Sequence, residues 1–318
     1  MPRMPNPFRF AVQIHSLPPD SWAERVRAIE RMGYSTVFVP DHFGPQWDPT
    51  ALLAGAAAVT TRLRVGTLVY DVDYRHPVIH AKSAATIQLL SNGRHEFGLG
   101  AGWMQTDYDE AGMAYDSPGT RIARLDEALQ IIKSMWQNER TTFAGKHYRI
   151  TNIARAAEPA FPSPKVLVGG GGPKVLRLAG RHADIVGINP ALVEGKVTAR
   201  TAADLAPEKL DEKLRWVREG AESAGRRFGD LEINSLTFVV AITDDPKGLR
   251  AALGANTGMT PQQIADCPMF LTGSPAEIRD GLEKRRERYG FSYIVIQGRD
   301  AAVVESFAEK VVAPLAGK

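Results

Sequence analysis

The chain has 318 residues, of which 44% are hydrophobic and 24% are charged, and its formal net charge is +3. These values are typical of a globular protein, and the small net charge argues against nucleic-acid or membrane-surface binding. Cys267 is the single cysteine, which excludes intrachain disulfides and zinc sites that need two thiolates. The N-terminal segment lacks the apolar stretch of a signal peptide, and no apolar run approaches the ~18 residues of a membrane span. We therefore expect a cytoplasmic protein.

Strand-like segments alternate with helical patterns along the chain. In the first half the sequence predicts strands at 8–14, 35–39, 63–69 and 95–100. Helices are predicted between them at 20–32, 50–60 and 77–90, and a helix behind an N-cap at Ser117 follows. In the second half the predicted strands are 165–170, 183–188, 232–242 and 292–297. This alternation is typical of a parallel sheet.

Eight strands, most with a following helix, favour an α/β fold of the (β/α)₈ TIM-barrel type over a doubly wound sheet. Such a barrel takes about 250 residues, so we expect the surplus in insertions. After strand 4 they are predicted at 103–117 and 141–164, and after strand 7 at 248–274, where Gly and Pro interrupt a candidate mobile lid. No linker divides the chain, so residues 1–318 are interpreted as a single domain.

Polar and glycine residues follow the predicted strands. In (β/α)₈ barrels the active site lies at the carboxyl ends of the strands, where residues distant in sequence converge. The candidates at these ends are His15, Asp41, His42, Tyr70, Asp71, Gly100, Gly102, Gly169, Gly170, Gly171, Gly172, Lys174 and Asn189.

The second strand ends in an acid and an imidazole, Asp41 and His42, with Trp47 shortly after them. Histidine is suited to exchanging protons near neutral pH. The alternative is a structural histidine that caps the strand end, and the barrel-mouth position favours the functional interpretation. Trp47 either walls a substrate pocket or covers the mouth of the barrel.

Two glycine-rich segments invite different interpretations. "GGGGPK" from Gly169 to Lys174 exposes backbone N–H groups at a helix start, which is typical of an anion site, although a flexible turn is the alternative. Neither a dinucleotide-binding G-x-G-x-x-G nor a Walker loop is present here. "GLGAGW" from Gly98 to Trp103 either leaves a flat face for a planar ring or supplies the small residues that a barrel strand needs to close.

The sequence contains little that indicates a metal site or a catalytic nucleophile. His76 and His80 are four residues apart, but Pro77 begins a helix between them and no H-E-x-x-H pattern exists, so we interpret them as helix-entry and packing residues. There is no G-x-S-x-G elbow and no histidine near Cys267 in sequence. We predict no metal site.

Several ordered motifs together resemble the bacterial luciferase-like superfamily. They include "VPDHFGPQW", "RHPVIHAKSAATIQLLSNGRHEFGLGAGW", "GGGGPKVLRLAGRHADIVGIN" and "TGSPAEIRDGLEKRRERYGFSYIVI". The similarity covers nearly the whole chain and weakens around 193–227 and 249–267. The order Asp41, His42, Phe43 is most similar to the branch that uses the 8-hydroxy-5-deazaflavin coenzyme F420.

The resemblance implies a cofactor ring at the carboxyl mouth of the barrel and a cofactor phosphate on the loop ending at Lys174. A non-prolyl cis peptide at the end of the third strand is also implied. The cofactor residues predicted in this way are Asp41, Leu68, Val69, Gly100, Ala101, Gly102, Gly169, Gly170, Gly171, Gly172, Lys174 and Asn189. The predicted substrate pocket is formed by His15, Trp47 and Trp103.

The function that the resemblance implies is hydride transfer between C5 of the deazaflavin and a small organic substrate. In this interpretation His42 exchanges a proton, and Asp41 positions the ring or the imidazole. Sugar-phosphate dehydrogenases of this branch carry a glutamate just after the strand-four glycines, where this chain reads Trp103, Met104, Gln105. A second proton-transfer residue is therefore unidentified, and a sugar phosphate is not the expected substrate. The resemblance also implies a homodimer, and a separate dehydrogenase that reduces F420 is a possible partner.

Two other functions remain open from the sequence. The same barrel type serves FMN-dependent monooxygenases, which take reduced flavin from a partner reductase and consume oxygen. A non-catalytic ligand-binding barrel is the second alternative, although Asp41, His42 and the glycines are all present. Cofactor preference separates these functions.

Overall fold

Strands and helices alternate along the part of the chain that the computed structural model describes, residues 6–191 and 203–318. The strands are β1 (Arg9–Gln13), β2 (Thr36–Val39), β3 (Arg64–Thr67), β4 (Tyr70–Asp71), β5 (His95–Gly100), β6 (Arg140–Ala144), β7 (Arg149–Ala154), β8 (Lys165–Gly170), β9 (Ile185–Ile188), β10 (Glu232–Thr237), β11 (Val239–Ile242), β12 (Phe270–Gly273) and β13 (Phe291–Gln297).

The helices surround the strands. They are α1 (Trp22–Arg31), α2 (Pro49–Val59), α3 (Pro77–Leu90), α4 (Gln105–Glu110), α5 (Pro118–Gln137), α6 (Pro173–His182), α7 (Pro207–Ser223), α8 (Pro246–Thr257), α9 (Pro261–Asp266), α10 (Pro275–Tyr289), α11 (Ala301–Phe307) and α12 (Ala313–Leu315). A π-helical turn over Ala308–Val312 joins the last two. Among these helices none is long and apolar enough to cross a bilayer.

Eight parallel strands close into a barrel in the order β3, β2, β1, β13, β10, β9, β8, β5. Pairing of Val65 with His95 and of Gly66 with Glu96 joins β3 to β5 and completes the ring. The short strand β4 continues the third barrel strand and pairs with the end of β5. The predicted (β/α)₈ barrel is therefore confirmed, and all eight predicted strands are present.

Local sequence signals start several helices, among them the predicted α3 and α5. A proline at the first turn begins α3, whose bounds match the prediction, because the missing N–H of proline has no partner to lose there. The Ser117 side chain accepts a hydrogen bond from the Thr120 N–H at the start of α5. Ser274 and Glu277 form a capping box on α10, which ends at Gly290 in the left-handed conformation.

Two segments differ from the prediction in detail. The predicted seventh strand, 232–242, breaks at the half-exposed Phe238, where the backbone turns to bond the Met269 carbonyl. The continuation β11 leaves the barrel and pairs with β12. The predicted insertion at 248–274 thus contains helices α8 and α9 and strand β12, and the insertion at 141–164 contains the antiparallel hairpin of β6 and β7.

A charged network fills the amino-terminal end of the barrel. Glu96 on β5 is fully buried and accepts hydrogen bonds from Arg9 at 2.9 Å, from Arg64 at 2.6 Å and from the Tyr293 hydroxyl at 2.7 Å. These opposite charges offset the cost of burial and hold the pKa of Glu96 below its usual value.

Candidate active site

The peptide bond between Leu68 and Val69 lies at the barrel mouth and is cis, as the resemblance implied. The Leu68 carbonyl accepts a 2.6 Å hydrogen bond from the Gln13 amide of β1. Gln13 is bonded in turn to Gln297 of β13 at 2.9 Å, and Gln297 lies 2.9 Å from His15 Nε2. These hydrogen bonds connect His15, through Gln297 and Gln13, to the cis peptide across the barrel.

The glycines of β5 are needed for packing. A Cβ built on Gly98 would lie 2.0 Å from the Thr67 carbonyl oxygen, and one on Gly100 would lie 2.7 Å from Val69 Cγ2. Of the two interpretations of "GLGAGW", strand closure therefore accounts for Gly98. Gly100 is required by the side chain of Val69, which is only partly buried and faces the mouth of the barrel near Gly169.

Asp41 at the end of β2 is engaged by an arginine and not by its neighbour His42. Arg75 donates a 2.5 Å hydrogen bond to the buried Asp41 carboxylate, and the Asp71 N–H donates another at 3.1 Å. Burial raises the pKa of Asp41, and the arginine opposes that rise. Among the described residues Asp41 makes no hydrogen bond to the imidazole, which has a different partner. The other predicted role of Asp41, to position the cofactor ring, stays a prediction.

His42 is held by a residue that the sequence interpretation missed. Its Nδ1 lies 2.7 Å from Asp107 Oδ2, and the two side chains are 18% and 6% exposed. The Tyr74 hydroxyl donates to the same carboxylate oxygen at 3.1 Å. The Trp103 indole stands edge-on to the imidazole, with ring centroids 5.7 Å apart and planes at 87°. A histidine with an ordered carboxylate partner at a barrel mouth is suited to proton exchange.

Beneath this pair lies a second buried carboxyl group, Asp71 of β4. Burial raises its pKa to about 7, although hydrogen bonds from the Asp73 N–H and the Tyr108 hydroxyl favour the charged form. The Tyr108 hydroxyl lies 2.8 Å from Asp71 Oδ2. Gly102 passes so close that a Cβ there would lie 2.1 Å from this hydroxyl, and its φ of +69° also favours glycine.

The glycine loop after β8 forms the opposite side of the mouth. A Cβ on Gly169 would lie 3.2 Å from the side-chain nitrogen of Asn189, which places these two predicted residues together. A Cβ on Gly172 would meet nothing within 4 Å, and Gly172 caps α6 without a side-chain hydrogen bond. Pro173 has no N–H, so Lys174 carries the first N–H group of α6, and a helix start without a side-chain cap suits an anionic group. Lys174 is exposed in the same turn, with Nζ beside the first turn of α5 at Gly119.

A buried lysine supports this loop from below. Lys213 on α7 donates from Nζ to the Gly171 carbonyl and to Asp204 Oδ2, each at 2.6 Å. Asp204 also accepts from the Ala191 N–H at 2.6 Å. Burial lowers the pKa of Lys213, and Asp204 opposes that effect. This lysine therefore ties the loop after β8 to the chain that follows β9.

Trp47 is less central than predicted from the sequence. Its N–H donates to the His15 carbonyl at 3.3 Å, which anchors its backbone at the mouth. Its side chain lines a groove of about 300 Å³ with Trp22, Leu52 and Gly55, between α1 and α2.

A larger cavity, of about 630 Å³, lies at the opposite end of the barrel. Residues at strand starts, among them Arg9, Lys165 and Glu232, line it. The Arg9 guanidinium is committed to Glu96 and Glu232. We assign the candidate site to the carboxyl end, because His15, His42 and the uncapped start of α6 all lie there.

Sequence reasoning missed Gln13, Arg75, Asp107 and Lys213. Asp107 carries the one usable signal, since it lies four residues after Trp103 in the segment that leaves β5, where a mouth residue is expected. Of the other three, Gln13 is the last residue of β1, Arg75 lies in a loop and Lys213 lies on a distant helix. Within the described ranges, no cluster of three or more His, Cys, Asp or Glu side chains is arranged for a metal ion.

The family model described as luciferase-like monooxygenase matches residues 6–288. An F420-dependent glucose-6-phosphate dehydrogenase of Nakamurella multipartita is 33% identical over 82% of this chain and 76% of its own length. A protein of the same name from Beutenbergia cavernae is 30% identical over 89% of each chain.

Solved structures agree with the fold. An F420-dependent secondary alcohol dehydrogenase, solved with an F420-acetone adduct, superposes with a TM-score of 0.77 at 19% identity, over 96% of this chain and 99% of its own. At that identity the likeness concerns the fold. The family match and the two relatives confirm the resemblance drawn from the sequence, and the chain belongs to the luciferase-like monooxygenase family.

Proposed function

We propose that this protein is a coenzyme F420-dependent oxidoreductase that acts on a small organic substrate at the carboxyl mouth of the barrel. The observation that carries the proposal is the 33% identity, over 82% of the chain, to an enzyme named for F420 dependence. When bound, a deazaflavin supplies a two-electron carrier that exchanges hydride at C5. The protein must then bind that cofactor and transfer the proton that accompanies hydride transfer.

The site residues fit such a group. The uncapped start of α6 and the exposed Lys174 would hold its phosphate, because the backbone N–H groups and the ammonium both attract an anion. Val69 and Asn189 converge on Gly169 and would contact the ring. Asp41, fixed by Arg75, would present its edge to the same region.

His42 would exchange the proton that accompanies hydride transfer. Its Nδ1 is committed to Asp107, so Nε2 is the nitrogen left to face a substrate. The segment Trp103, Met104, Gln105 lies where the sugar-phosphate dehydrogenases were expected to carry a glutamate, and the Trp103 indole borders the imidazole. We therefore propose an apolar or planar alcohol, ketone, enone or imine as the substrate, and not a sugar phosphate.

The test is a substrate screen followed by the absorbance of F420. In one direction F420 is mixed with secondary alcohols and with glucose 6-phosphate, and in the other reduced F420 is mixed with ketones, enones and imines. We expect turnover with at least one member of the apolar set and none with glucose 6-phosphate. Turnover of glucose 6-phosphate alone would contradict the substrate class and would leave the cofactor assignment intact.

The family description favours one alternative, an FMN-dependent monooxygenase. That reaction consumes oxygen, whereas reduced deazaflavin reacts poorly with it. Oxygen uptake by the protein with reduced FMN and candidate substrates, in an oxygen electrode, would favour this alternative. No oxygen uptake together with F420 turnover is the expected result.

We also propose that the protein is a cytoplasmic homodimer that works with a separate F420-reducing dehydrogenase. Helix α3 supports the dimer, since it carries Ile79, Leu89 and Leu90, which are 51%, 36% and 54% exposed. Sedimentation should give twice the chain mass, and Ile79→Lys should shift it to the monomer. A monomeric wild-type protein at micromolar concentration would contradict the dimer.

A further inference from the structure

His42 and Asp107 come from different elements that meet at the barrel mouth. His42 follows β2, and Asp107 lies in the first turn of α4, which begins just after Trp103. One carboxylate oxygen, Oδ2, lies 2.7 Å from His42 Nδ1 and 3.1 Å from the Tyr74 hydroxyl. The His42 imidazole and the Tyr74 hydroxyl therefore share a single acceptor atom, Asp107 Oδ2.

The tyrosine decides how the protons are arranged. Burial, followed by the nearby charge of Asp71, raises the pKa of Tyr74, so its hydroxyl keeps its proton and donates. As a carboxylate, Asp107 has only acceptor sites and accepts from both neighbours. The proton of a neutral His42 ring then lies on Nδ1, and Nε2 carries the free lone pair.

The surroundings hold this arrangement in place. The Phe43 ring stacks on Tyr74 with centroids 4.4 Å apart, and Tyr74 packs against Tyr108 at 5.5 Å. The Asp107 N–H bonds the Met104 carbonyl at 3.1 Å. Across residues 6–191 and 203–318, His42 Nε2 makes no hydrogen bond, and the side chain keeps 18% of its surface exposed. The free nitrogen is therefore available to a ligand.

We propose that Asp107 is the positioning residue of this site: it fixes His42 in the Nδ1–H tautomer and stabilises the imidazolium that forms when Nε2 takes a proton. The inference rests on the proposed function. In the oxidative direction the substrate O–H bond breaks, the proton binds the Nε2 lone pair, and the oxygen keeps the bonding electron pair. In the reductive direction the same proton returns to the oxygen. Asp107 never touches the substrate and acts through His42.

This role answers the question left by the missing glutamate. The segment Trp103, Met104, Gln105 lacks the expected carboxyl group, and the acid that serves the site lies two residues beyond it, in the first turn of α4. It faces the back of the histidine and not the substrate. A single histidine, supported from behind, then handles the proton.

The test measures the ring nitrogens of His42 by NMR in protein labelled with ¹⁵N-histidine, without cofactor, and His42→Gln assigns the signals. The variants are Asp107→Asn, Asp107→Glu and Tyr74→Phe, and Asp109→Asn is the matched control, because Asp109 is exposed on the same helix. We expect the wild type, Tyr74→Phe and the control to show Nδ1 protonated. Asp107→Asn should shift the ring toward the Nε2–H tautomer.

Kinetics with F420 and the best substrate form the second readout. Asp107→Asn should lower kcat by about 100-fold, a typical contribution of acid–base chemistry, with KM and F420 affinity within a few-fold. Asp107→Glu should restore part of kcat and the Nδ1–H signal.

An unchanged His42 spectrum in Asp107→Asn would overturn the positioning role. If no substrate turns over in any variant, the proposed function fails, but the NMR comparison still decides the tautomer. If Asp107→Asn does not fold, the wild-type spectrum carries the test: an Nδ1–H tautomer is expected, and an Nε2–H tautomer in the wild type would overturn the positioning role.

Discussion

Arg75 and Asp41 form an ion pair at the barrel mouth, with 2.5 Å between Nη1 and Oδ2. The same guanidinium reaches Asp48, the N-cap of α2, at 3.1 Å. Arg75 therefore joins the end of β2 to the start of α2 and fixes the backbone that carries His42. The acid next to the histidine in sequence stabilises the mouth, and the acid 65 residues away contacts the imidazole.

Replacement of Arg75 by Met should destabilise the fold by about 2 kcal/mol, because it leaves Asp41 buried without its cation. Burial already raises the pKa of Asp41, and loss of the arginine raises it further. A carboxyl group whose pKa is higher in the folded than in the unfolded protein lowers the unfolding free energy at pH values above its unfolded pKa. The stability lost in Arg75→Met should therefore grow as the pH rises from 4 to 7. Urea unfolding at both pH values measures this.

The double variant Asp41→Asn, Arg75→Met provides the control. It removes the charge together with its partner, so its loss of stability should not depend on pH in this range. A loss in Arg75→Met that is the same at pH 4 and pH 7 would show that the arginine acts through packing alone.

Asp71 should make the protein less stable as the pH rises. Its pKa is about 7 in the fold and near 3.9 in an unfolded chain. Between these values the folded state holds a proton that the unfolded chain has lost, so this group's contribution to the unfolding free energy falls with pH.

The Asp71→Asn variant lacks this titration. The difference in unfolding free energy, Asp71→Asn minus wild type, should therefore rise between pH 4 and pH 7 with a slope approaching ~1.4 kcal/mol per pH unit. Chemical unfolding at half-unit intervals measures it, with the exposed Asp109→Asn as the control variant. A flat difference for Asp71→Asn would mean that Asp71 is ionised throughout.

Replacement by alanine should destabilise the protein at Gly98 but not at Gly172. At Gly98 the new Cβ would lie 2.0 Å from the Thr67 carbonyl oxygen, so we expect a loss of at least ~3 kcal/mol. At Gly172 it meets nothing, and φ is −93°, so stability should stay within ~0.5 kcal/mol. F420 affinity should nevertheless fall several-fold in Gly172→Ala, because the methyl group occupies the approach to α6. Unchanged affinity would move the phosphate elsewhere.

Lys213 and Lys174 separate support of the glycine loop from direct anion binding. Lys213→Met leaves Asp204 and the Gly171 carbonyl without their buried donor, so it should cost about 2 kcal/mol in urea unfolding. Lys174→Met changes an exposed side chain and should leave stability unchanged, while F420 binding weakens several-fold. Equal stability of the two variants would contradict the assigned role of Lys213.

The fold could be predicted because its signals are local. Prolines, cap residues and alternating apolar segments set α3, α5 and the eight barrel strands. The seventh strand was drawn too long because its apolar sequence continues through Phe238 into β11. Strand β11 is separated from β10 only because it pairs with β12, and the sequence near Phe238 contains no local signal for that pairing.

The site was predictable where strand ends supply it, and not where distant elements reach in. His42 and Asn189 lie where barrel geometry puts them, and Val69 lies at the cis peptide that the resemblance implied. The partners that hold these residues, Gln13 and Asp107, depend on side-chain directions that periodicity does not give. Their adjacency in sequence suggested Asp41 as the partner of His42, but the Asp41 carboxylate accepts a hydrogen bond from Arg75 instead.

His42→Ala should lower turnover by at least ~100-fold while F420 affinity stays within a few-fold, because the imidazole handles a proton and does not hold the cofactor. His42→Gln, which keeps a polar side chain of similar length, should be equally slow. Turnover close to wild type in either variant would remove His42 from the reaction.

Calorimetric titration of the protein with F420 and, separately, with FMN tests the central claim most directly. The account predicts micromolar or tighter binding of F420, weak binding of FMN, and loss of F420 affinity in Lys174→Met. The reverse preference would contradict it and identify an oxygen-using flavin enzyme, whereas binding of neither would leave a barrel without catalytic function.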